Sequence, residues 1–165
     1  MKIDKETLAK VVDEFIHEVN DFGYELSTRC QRDNQVNGRG AFTDLEGIVL
    51  YSLIRKYRPN LIFEISPDTG MSTNYILQAV KKNDHGKVIG FELEEEKRNY
   101  TLKPTIDVIK ENQVDPSLVD KFYTLVLGNA TETCRLDTYG KPDLILIDSC
   151  HEDWFAKWYE PTCQH

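Results

Sequence analysis

The side chains best suited to chemistry are acidic and amide groups at the ends of short apolar segments. Glu64 lies in the segment at residues 61–65, which a turn of sequence Ser-Pro-Asp-Thr-Gly follows. Glu92 lies near the end of the next segment, Asn129 follows the third, and Asp148 ends the fourth. A carboxylate at the position of Glu92 can accept hydrogen bonds from both hydroxyls of a ribose, and the amide of Asn129 can bond the edge of an adenine. These residues are therefore candidates for a ligand-binding site.

The turn after the first segment supplies a second set of candidate contacts. A glycine such as Gly70 lets the backbone approach a ligand closely, and the helix that begins there offers N–H groups that are not used within the helix. Ser66, Asp68 and Ser72 lie in the same stretch. We expect these residues, together with Glu64, to contact the ligand.

Asp148 and His151 are the candidates for the reacting end of the site. A histidine can take a proton from a hydroxyl near neutral pH, and a carboxylate can orient its ring. The alternative is a structural His151 at the start of a surface helix. A further option is that Asp148 binds Mg²⁺ together with Glu152 or Asp153, because Mg²⁺ prefers oxygen ligands.

The elements that position these side chains alternate between strands and helices. The strands are short and nearly all apolar, which is typical of parallel strands covered on both faces. Strands separated by helices form an α/β sheet with right-handed crossovers, and ligands bind beyond the carboxyl ends of its strands. Strands are predicted at residues 61–65, 87–93, 121–127 and 143–148, and helices at 72–82, at 94–113 with a break at Pro104, at 131–137 and from 154 to 159.

The first 58 residues predict a helical extension in front of this core. Residues 5–22 carry apolar side chains at the helical period, with charges on the other face. Residues 27–42 are polar and contain glycine, which predicts a long loop that covers a site. Thr43-Asp-Leu-Glu46 matches a capping box and opens a second helix. We therefore predict a single domain over residues 1–165, made of this extension (1–58) and the core (59–165).

Taken in order, the motifs resemble those of class I S-adenosylmethionine-dependent methyltransferases, and most closely the small O-methyltransferase branch. The resemblance covers about residues 43–155. It implies a Rossmann-like α/β fold, with a mostly parallel sheet of about four strands in the order 3-2-1-4 and helices on both faces. The motifs are Glu64-Ile-Ser-Pro-Asp-Thr-Gly70-Met-Ser-Thr73, Glu92, Gly128-Asn-Ala130, and Leu146-Ile-Asp148 with His151.

The resemblance also implies a cofactor, S-adenosylmethionine, and a role for each motif. The loop after the first strand would hold the methionine part, Glu92 the ribose, and Asn129 with Ala130 the adenine. Asp148 would lie near the transferred methyl group, which goes to a hydroxyl of a small molecule or a glycan. Asn129 also matches a helix N-cap, with Glu132 three residues on, and both roles can hold together.

The sequence departs from the family pattern in two places. The family loop carries more glycines, and here Ser66 and Asp68 occupy two of their positions, so that only Gly70 remains. The family sheet has seven strands, whereas this chain ends soon after the fourth, which leaves an apolar edge at residues 144–147. Bare apolar edges favour pairing with other chains. We expect either that the chain is a fragment, or that a partner or a second copy of the chain covers the edge.

Two other functions compete with methyl transfer. A non-catalytic interaction domain of the same fold would pair with a partner through the apolar edge and the final helix. The aromatic residues of that helix, Trp154, Phe155 and Trp158, are otherwise predicted to belong to the core. A nicotinamide-dinucleotide domain also places an acid after its second strand, but the sequence has no G-x-G-x-x-G motif.

Composition narrows the partners and the location of the protein. The 165 residues carry a net charge of −8, which argues against binding to nucleic acid or to an anionic membrane, because both need a basic surface. The sequence has no apolar stretch of the roughly 20 residues that a membrane span needs, and its N-terminus lacks the apolar core of a secretory signal. The four cysteines are scattered, without a CxxC pair. These features predict a cytoplasmic protein with reduced thiols.

Overall fold

The structure is a computed structural model that describes residues 3–26, 28, 42–93, 103–149 and 153–163. Two long helices precede an alternation of strands and helices. Apart from residues 28 and 42, the predicted loop at 27–42 lies outside the described residues, as does most of the helical stretch predicted before Pro104. Within the described stretches, no helix is both long and apolar enough to cross a bilayer. The helices are α1 (Lys5–Val19), α2 (Asp44–Tyr57), α3 (Met71–Asn83), α4 (Thr105–Asn112), α5 (Ser117–Phe122), α6 (Ala130–Thr133), α7 (Leu136–Tyr139) and α8 (Asp153–Cys163), and the strands are β1 (Leu61–Ile65), β2 (Lys87–Glu92), β3 (Tyr123–Leu127) and β4 (Leu144–Ile147).

The described strands form one parallel sheet in the order β3-β2-β1-β4. Glu64 in β1 is level with Gly90 in β2 and with Leu146 in β4, and Gly90 is level with Leu125 in β3. The order and the direction of the strands confirm the predicted Rossmann-like fold. Because parallel strands all end at the same edge, the segments that follow them meet on one side of the sheet.

Helices cover the sheet on both faces, as the apolar strands predict. Ile62 of β1 belongs to a core cluster with Tyr75 of α3 and Ile109 of α4. Phe63, the next residue along the strand, belongs to a second cluster with Phe155 of α8. This alternation places α2–α5 on one face of the sheet and α6–α8 on the other, which fixes where each loop approaches the carboxyl edge.

Local sequence signals set several of the helix boundaries. Thr43 and Glu46 form the reciprocal capping box of α2: the Thr43 N–H donates to Glu46 Oε2 at 2.8 Å, and the Glu46 N–H donates to Thr43 Oγ1 at 3.3 Å. Pro104 occupies the N-cap position of α4. A proline is tolerated there because the first turn of a helix does not use the missing N–H.

The third strand and the helix predicted at 131–137 differ from their predicted extents. The third strand begins at Tyr123 and not at residue 121, because α5 occupies the residues before it. The N–H and the hydroxyl of Ser117 both donate to Asp115 Oδ1, which favours a helix start at that point. The helix predicted at 131–137 is divided into α6 and α7, because residues 134–135 take non-helical backbone angles.

A glycine in the middle of β2 leaves space for a side chain that crosses the sheet. Tyr123, at the start of β3, reaches over β2 to Glu64 in β1, where its hydroxyl donates to Oε2 at 3.1 Å. A Cβ atom at Gly90 would lie 1.8 Å from the Tyr123 hydroxyl oxygen. Any side chain at position 90 would therefore displace the phenol.

We expect Gly90→Ala to lower the free energy of unfolding by about 2 kcal/mol, because the added methyl group overpacks a buried site and breaks the Tyr123 hydrogen bond. Urea unfolding followed by circular dichroism measures this change. Gly23→Ala is the matched control, since its Cβ would lie no closer than 3.1 Å to its nearest described neighbour, Val19 Cγ1, and its effect should stay within about 1 kcal/mol. Equal stabilities for Gly90→Ala and the wild type would contradict this account of β2.

Candidate functional site

Glu64 is a fully buried carboxyl group in β1. Its Oε1 accepts a hydrogen bond from the Ser72 hydroxyl at 2.6 Å, and its Oε2 accepts from the hydroxyls of Thr73 at 2.9 Å and Tyr123 at 3.1 Å. The pKa of Glu64 is raised to about 7: burial is the main cause, the three hydroxyl hydrogen bonds oppose the shift, and the Glu92 carboxylate adds a smaller upward contribution. The group therefore links β1, β3 and the first turn of α3.

This placement revises the predicted roles of Glu64 and Ser72. Glu64 has no exposed surface, Ser72 is 5% exposed, and the two side chains bond to each other. A direct contact with a ligand does not fit side chains that are buried in this way. They instead hold the loop between β1 and α3 against the sheet.

That loop has an unusual backbone for its sequence. Ser66 (φ 62°) and Asp68 (φ 50°) take the left-handed conformation, as Gly70 does (φ 86°). Two residues that stand at family glycine positions thus keep a glycine-like backbone, at a cost of about 1 kcal/mol each. A Cβ at Gly70 would lie 3.1 Å from both Gln113 Nε2 and Ile109 Cγ2. The side of Gly70 on which a side chain would lie therefore faces α4. The close approach that this glycine permits is to α4, whereas the sequence predicted a close approach to a ligand.

Amide side chains around the end of α4 hydrogen-bond the loop between β1 and α3 and hold it in place. Asn112 Nδ2 donates to the Thr69 carbonyl at 2.9 Å, and Gln113 Nε2 donates to the Gly70 carbonyl at 3.1 Å. Asn74 of α3 completes the contact by donating to the Asn112 carbonyl at 2.6 Å. The sequence analysis missed this support, because nothing in the sequence distinguishes these amides from ordinary loop residues.

Glu92 joins the loop after β1 to the ends of β2 and β3. Its Oε2 accepts the N–H of Asp68 at 2.9 Å and its Oε1 accepts the N–H of Leu93 at 2.8 Å, while its main-chain carbonyl accepts the N–H of Gly128 at 2.8 Å. Glu92 is 7% exposed. The carboxylate is thus oriented by the protein itself.

Asn129 caps α6, as one of its two predicted roles requires. Its Oδ1 accepts the N–H of Thr131 at 3.1 Å and the Thr131 hydroxyl at 3.0 Å. The cap engages the amide oxygen, so the Nδ2 group is the donor that Asn129 can offer to a ligand. Ala130, the next residue, is buried at the start of the helix.

The loops after the four strands surround a cavity of about 270 Å³ at the carboxyl edge of the sheet. This volume is close to the lower end of the roughly 300–1,000 Å³ that is typical of small-molecule pockets. The walls are mostly apolar and aromatic, with polar groups near the strand ends. The lining residues are Ile65, Ser66, Phe91, Glu92, Leu93, Gly128, Asn129, Ala130, Ser149, Trp154 and Phe155.

The structure brings some of the predicted site residues together at this cavity and places others behind it. Asp68 contributes its main-chain N–H to Glu92. Asp148 is exposed at the end of β4, where its N–H donates to the Ile65 carbonyl at 3.3 Å. His151 lies outside the described residues. The predicted residues that line the cavity are Ser66, Glu92, Asn129 and Ala130.

The predicted Mg²⁺ option gains no support. Among the residues that the structure describes, no three histidine, cysteine, aspartate or glutamate side chains come together as metal ligands. Asp148 and Asp153 are both exposed, and Glu152 lies outside the described residues.

A second cavity, of about 310 Å³, lies at the opposite, amino edge of the sheet. Arg58, Asn60 and Asp143 are among the residues that line it. The Asp143 carboxylate accepts the N–H of Asn60 at 2.7 Å and the N–H of Leu61 at 3.2 Å, so it is engaged in joining the starts of β1 and β4. Ligands of parallel α/β sheets bind at the other edge.

The sequence analysis missed three further residues of the site. A glycine inside a strand marks a close approach, and Gly90 is the signal that predicts a crossing side chain such as Tyr123. Trp154, predicted as core, is 56% exposed and lines the cavity, whereas Phe155 is buried as predicted. Ser149 also lines the cavity. The one sequence feature that indicates this is its position directly after an apolar strand.

Comparison with known families identifies the family to which the chain belongs. A family profile described as "Methyltransferase domain" matches residues 63–165, which include 103 of the 165 residues and reach from β1 to α8. The chain belongs to this family. The match confirms the resemblance that the ordered motifs predicted. No curated protein matched the sequence of this methyltransferase domain.

Solved structures share the fold of this domain, and two of the three compared below are described as O-methyltransferases. The O-methyltransferase TomG from Streptomyces achromogenes, solved with SAM, has a TM-score of 0.60 at 18% identity over 81% of this chain and 57% of its own. Cofactor-bound Rv0187 from MTB has a TM-score of 0.62 at 18% identity, over 98% of this chain and 69% of its own. The O-methyltransferase from Bacillus cereus, solved with SAH, has a TM-score of 0.60 at 18% identity, over 81% and 58%. At such identities the likeness concerns the fold, and the domain spans less than two thirds of the length of the first and third of these proteins.

Proposed function

We propose that this methyltransferase domain binds S-adenosylmethionine in the 270 Å³ cavity and transfers its methyl group to a hydroxyl of a small molecule or a glycan. The observation that carries the proposal is the position of Glu92. It is a nearly buried carboxylate, oriented by two main-chain N–H groups, in the wall of a mostly apolar cavity. Such a carboxylate fits the paired hydroxyls of a ribose, and apolar walls fit the attached base.

Each segment around the cavity has a role in this proposal. Glu92 accepts hydrogen bonds from the ribose, and Asn129 with Ala130 contacts the adenine. The loop at residues 66–70 holds the methionine part through its left-handed backbone. Glu64 holds that loop in place from beneath, through the hydroxyls at the start of α3.

The residues at the end of β4 provide the reacting end. When bound, S-adenosylmethionine would supply the methyl group: the acceptor oxygen would bond to the methyl carbon as the carbon–sulfur bond on the opposite side breaks, with S-adenosylhomocysteine as the leaving group. We assign Asp148 to the surroundings of this methyl group; it precedes Ser149, a residue of the cavity wall, in the sequence. His151 is assigned as the base that takes the hydroxyl proton on its imidazole ring. The main contribution of the chain is alignment of the two reactants.

The compared structures support an oxygen acceptor. TomG and the Bacillus cereus protein are both described as O-methyltransferases, one in complex with SAM and the other with SAH, and TomG is involved in tomaymycin synthesis. A small-molecule hydroxyl is therefore the acceptor class that we assign first.

Isothermal titration calorimetry with S-adenosylmethionine and S-adenosylhomocysteine tests the proposed function. We expect each ligand to bind to one site per chain with a dissociation constant in the micromolar range. The demethylated product should bind as well as the cofactor, because the ribose and base contacts are common to both. Absence of heat from both ligands at millimolar concentration would reject the proposal.

The free side of β4 favours a second candidate function, that of an interaction domain. In the described part of the chain β4 pairs with β1 alone, and its four residues are only half-buried. An apolar edge strand of this kind pairs readily with another chain. We propose that a partner or a second copy of the domain covers it. Sedimentation velocity should show a dimer or a larger species, and a monomer at high concentration that binds S-adenosylhomocysteine would reject this candidate as a self-pairing module.

A further inference from the structure

The Ser149 hydroxyl is a buried polar group with no hydrogen-bond partner among the residues that the structure describes. Ser149 follows β4 and lines the 270 Å³ cavity together with Ala130 and Trp154. A buried hydroxyl without a partner has lost its hydrogen bonds to water and gained none in return, which destabilises the protein. Such a group in the wall of a binding cavity gains its partner when a ligand enters.

Two other polar side chains of the cavity differ from Ser149 in this respect. Glu92 accepts a main-chain N–H with each carboxylate oxygen, and Asn129 uses its amide oxygen to cap α6. The Ser149 hydroxyl has both its donor and its acceptor capacity open. It can therefore bond either a ring nitrogen or an amino group of a ligand.

The other residues around the cavity indicate which part of the ligand lies nearest to Ser149. The cavity contains Glu92 and Asn129, which are placed at the ribose and the base. The loop residues placed at the methionine part, Asp68 and Gly70, are not among its lining residues. The space that Ser149 adjoins is therefore the space for the nucleoside half.

We infer that Ser149 is a positioning residue whose hydroxyl hydrogen-bonds the base of the bound nucleoside; this inference rests on the proposed function. The hydroxyl oxygen is covered in the structure. A serine side chain exchanges among three staggered rotamers, so rotation about the Cα–Cβ bond turns the oxygen from the wall toward the cavity. The bond formed there adds affinity for the adenosine part that neither Glu92 nor Asn129 supplies.

Ser149→Ala in the full chain tests the inference by calorimetry with two ligands, S-adenosylhomocysteine and adenosine. We expect both ligands to bind about 3- to 10-fold more weakly, and by the same factor, because the base is common to both. Without ligand, Ser149→Ala should melt at the same temperature as the wild type or higher, because the substitution removes an unpaired buried hydroxyl. Ser149→Thr, which keeps a hydroxyl, should recover affinity, and Ser117→Ala, at the start of α5, is the matched control with unchanged affinity.

Several results would overturn the inference. Unchanged affinity of Ser149→Ala for both ligands would do so, and a lower melting temperature with unchanged affinity would identify a structural role. A loss for S-adenosylhomocysteine alone would move the contact to the amino-acid half, against the inference. If the wild type binds neither ligand, the proposed function fails and the inference fails with it, whereas binding by the wild type with an unaffected variant removes the inference alone.

Discussion

Replacing Glu92 by alanine is expected to weaken binding of S-adenosylhomocysteine by roughly 10- to 150-fold. The estimate follows from about 1.5–3 kcal/mol for hydrogen bonds to a charged group, here between the ribose hydroxyls and the carboxylate. The same substitution removes the acceptor for the N–H groups of Asp68 and Leu93. We therefore expect the loop after β1 to loosen as well. Calorimetry of the variant beside the wild type measures the change in dissociation constant.

Glu132→Ala is the matched control for this experiment. It removes the same charge from the exposed side of α6, three residues after Asn129, and Glu132 does not line the cavity. We expect its affinity for S-adenosylhomocysteine to stay within about twofold of the wild type, because exposed charges interact weakly. Equal losses in the two variants would mean that net charge, and not a contact from Glu92, governs binding. An unaffected Glu92→Ala variant would remove the ribose assignment.

Replacing Glu64 by glutamine is expected to change how the stability of the protein depends on pH. The pKa of Glu64 is raised from 4.5 to about 7 by burial. Below pH 4.5 the carboxyl is protonated in both the folded and the unfolded chain. Between pH 4.5 and 7 the unfolded chain releases this proton while the folded chain keeps it, so stability falls as pH rises. The total loss from this one group is about 3 kcal/mol above pH 7.

Glutamine resembles the protonated glutamate in shape and charge, so Glu64→Gln should lack this loss. At pH 4.5 the two proteins should have similar free energies of unfolding, and at pH 8 the variant should be more stable by up to about 3 kcal/mol. Urea unfolding at a series of pH values measures the difference, in which the contributions of the other carboxylates cancel. A constant difference from pH 4.5 to 8 would mean that Glu64 titrates normally in the folded protein.

The strand order was predictable because each apolar segment is short, bounded by turn residues and separated from the next by a helical stretch. Glu64 illustrates what a sequence alone cannot give. The sequence places an acid in a buried strand at the edge where ligands bind, which fits a ligand contact. Its true partners, Ser72 and Tyr123, come from α3 and from β3, and the contact with Tyr123 depends on Gly90 in the strand between them. Only the sheet register brings these residues together.

The loop after β1 shows a second limit of sequence reasoning. A serine and an aspartate at glycine positions have fewer backbone conformations open to them, since both carry a Cβ atom. The structure nevertheless keeps Ser66 and Asp68 in the left-handed region. Tertiary contacts explain this: Glu92 accepts the Asp68 N–H, and Asn112 and Gln113 bond the carbonyls that follow. These contacts come from segments 20 or more residues away, which no local pattern reveals.

An NMR titration of ¹⁵N-labelled protein with S-adenosylhomocysteine tests most directly whether the loops after the strands form one nucleoside site. The largest amide shift changes should occur at Ser66, Asp68, Leu93, Gly128 and Asn129, because these groups surround the 270 Å³ cavity or bond to Glu92. Changes concentrated instead around Asn60 and Asp143, at the amino edge of the sheet, would contradict the assignment, as would an unchanged spectrum at millimolar ligand.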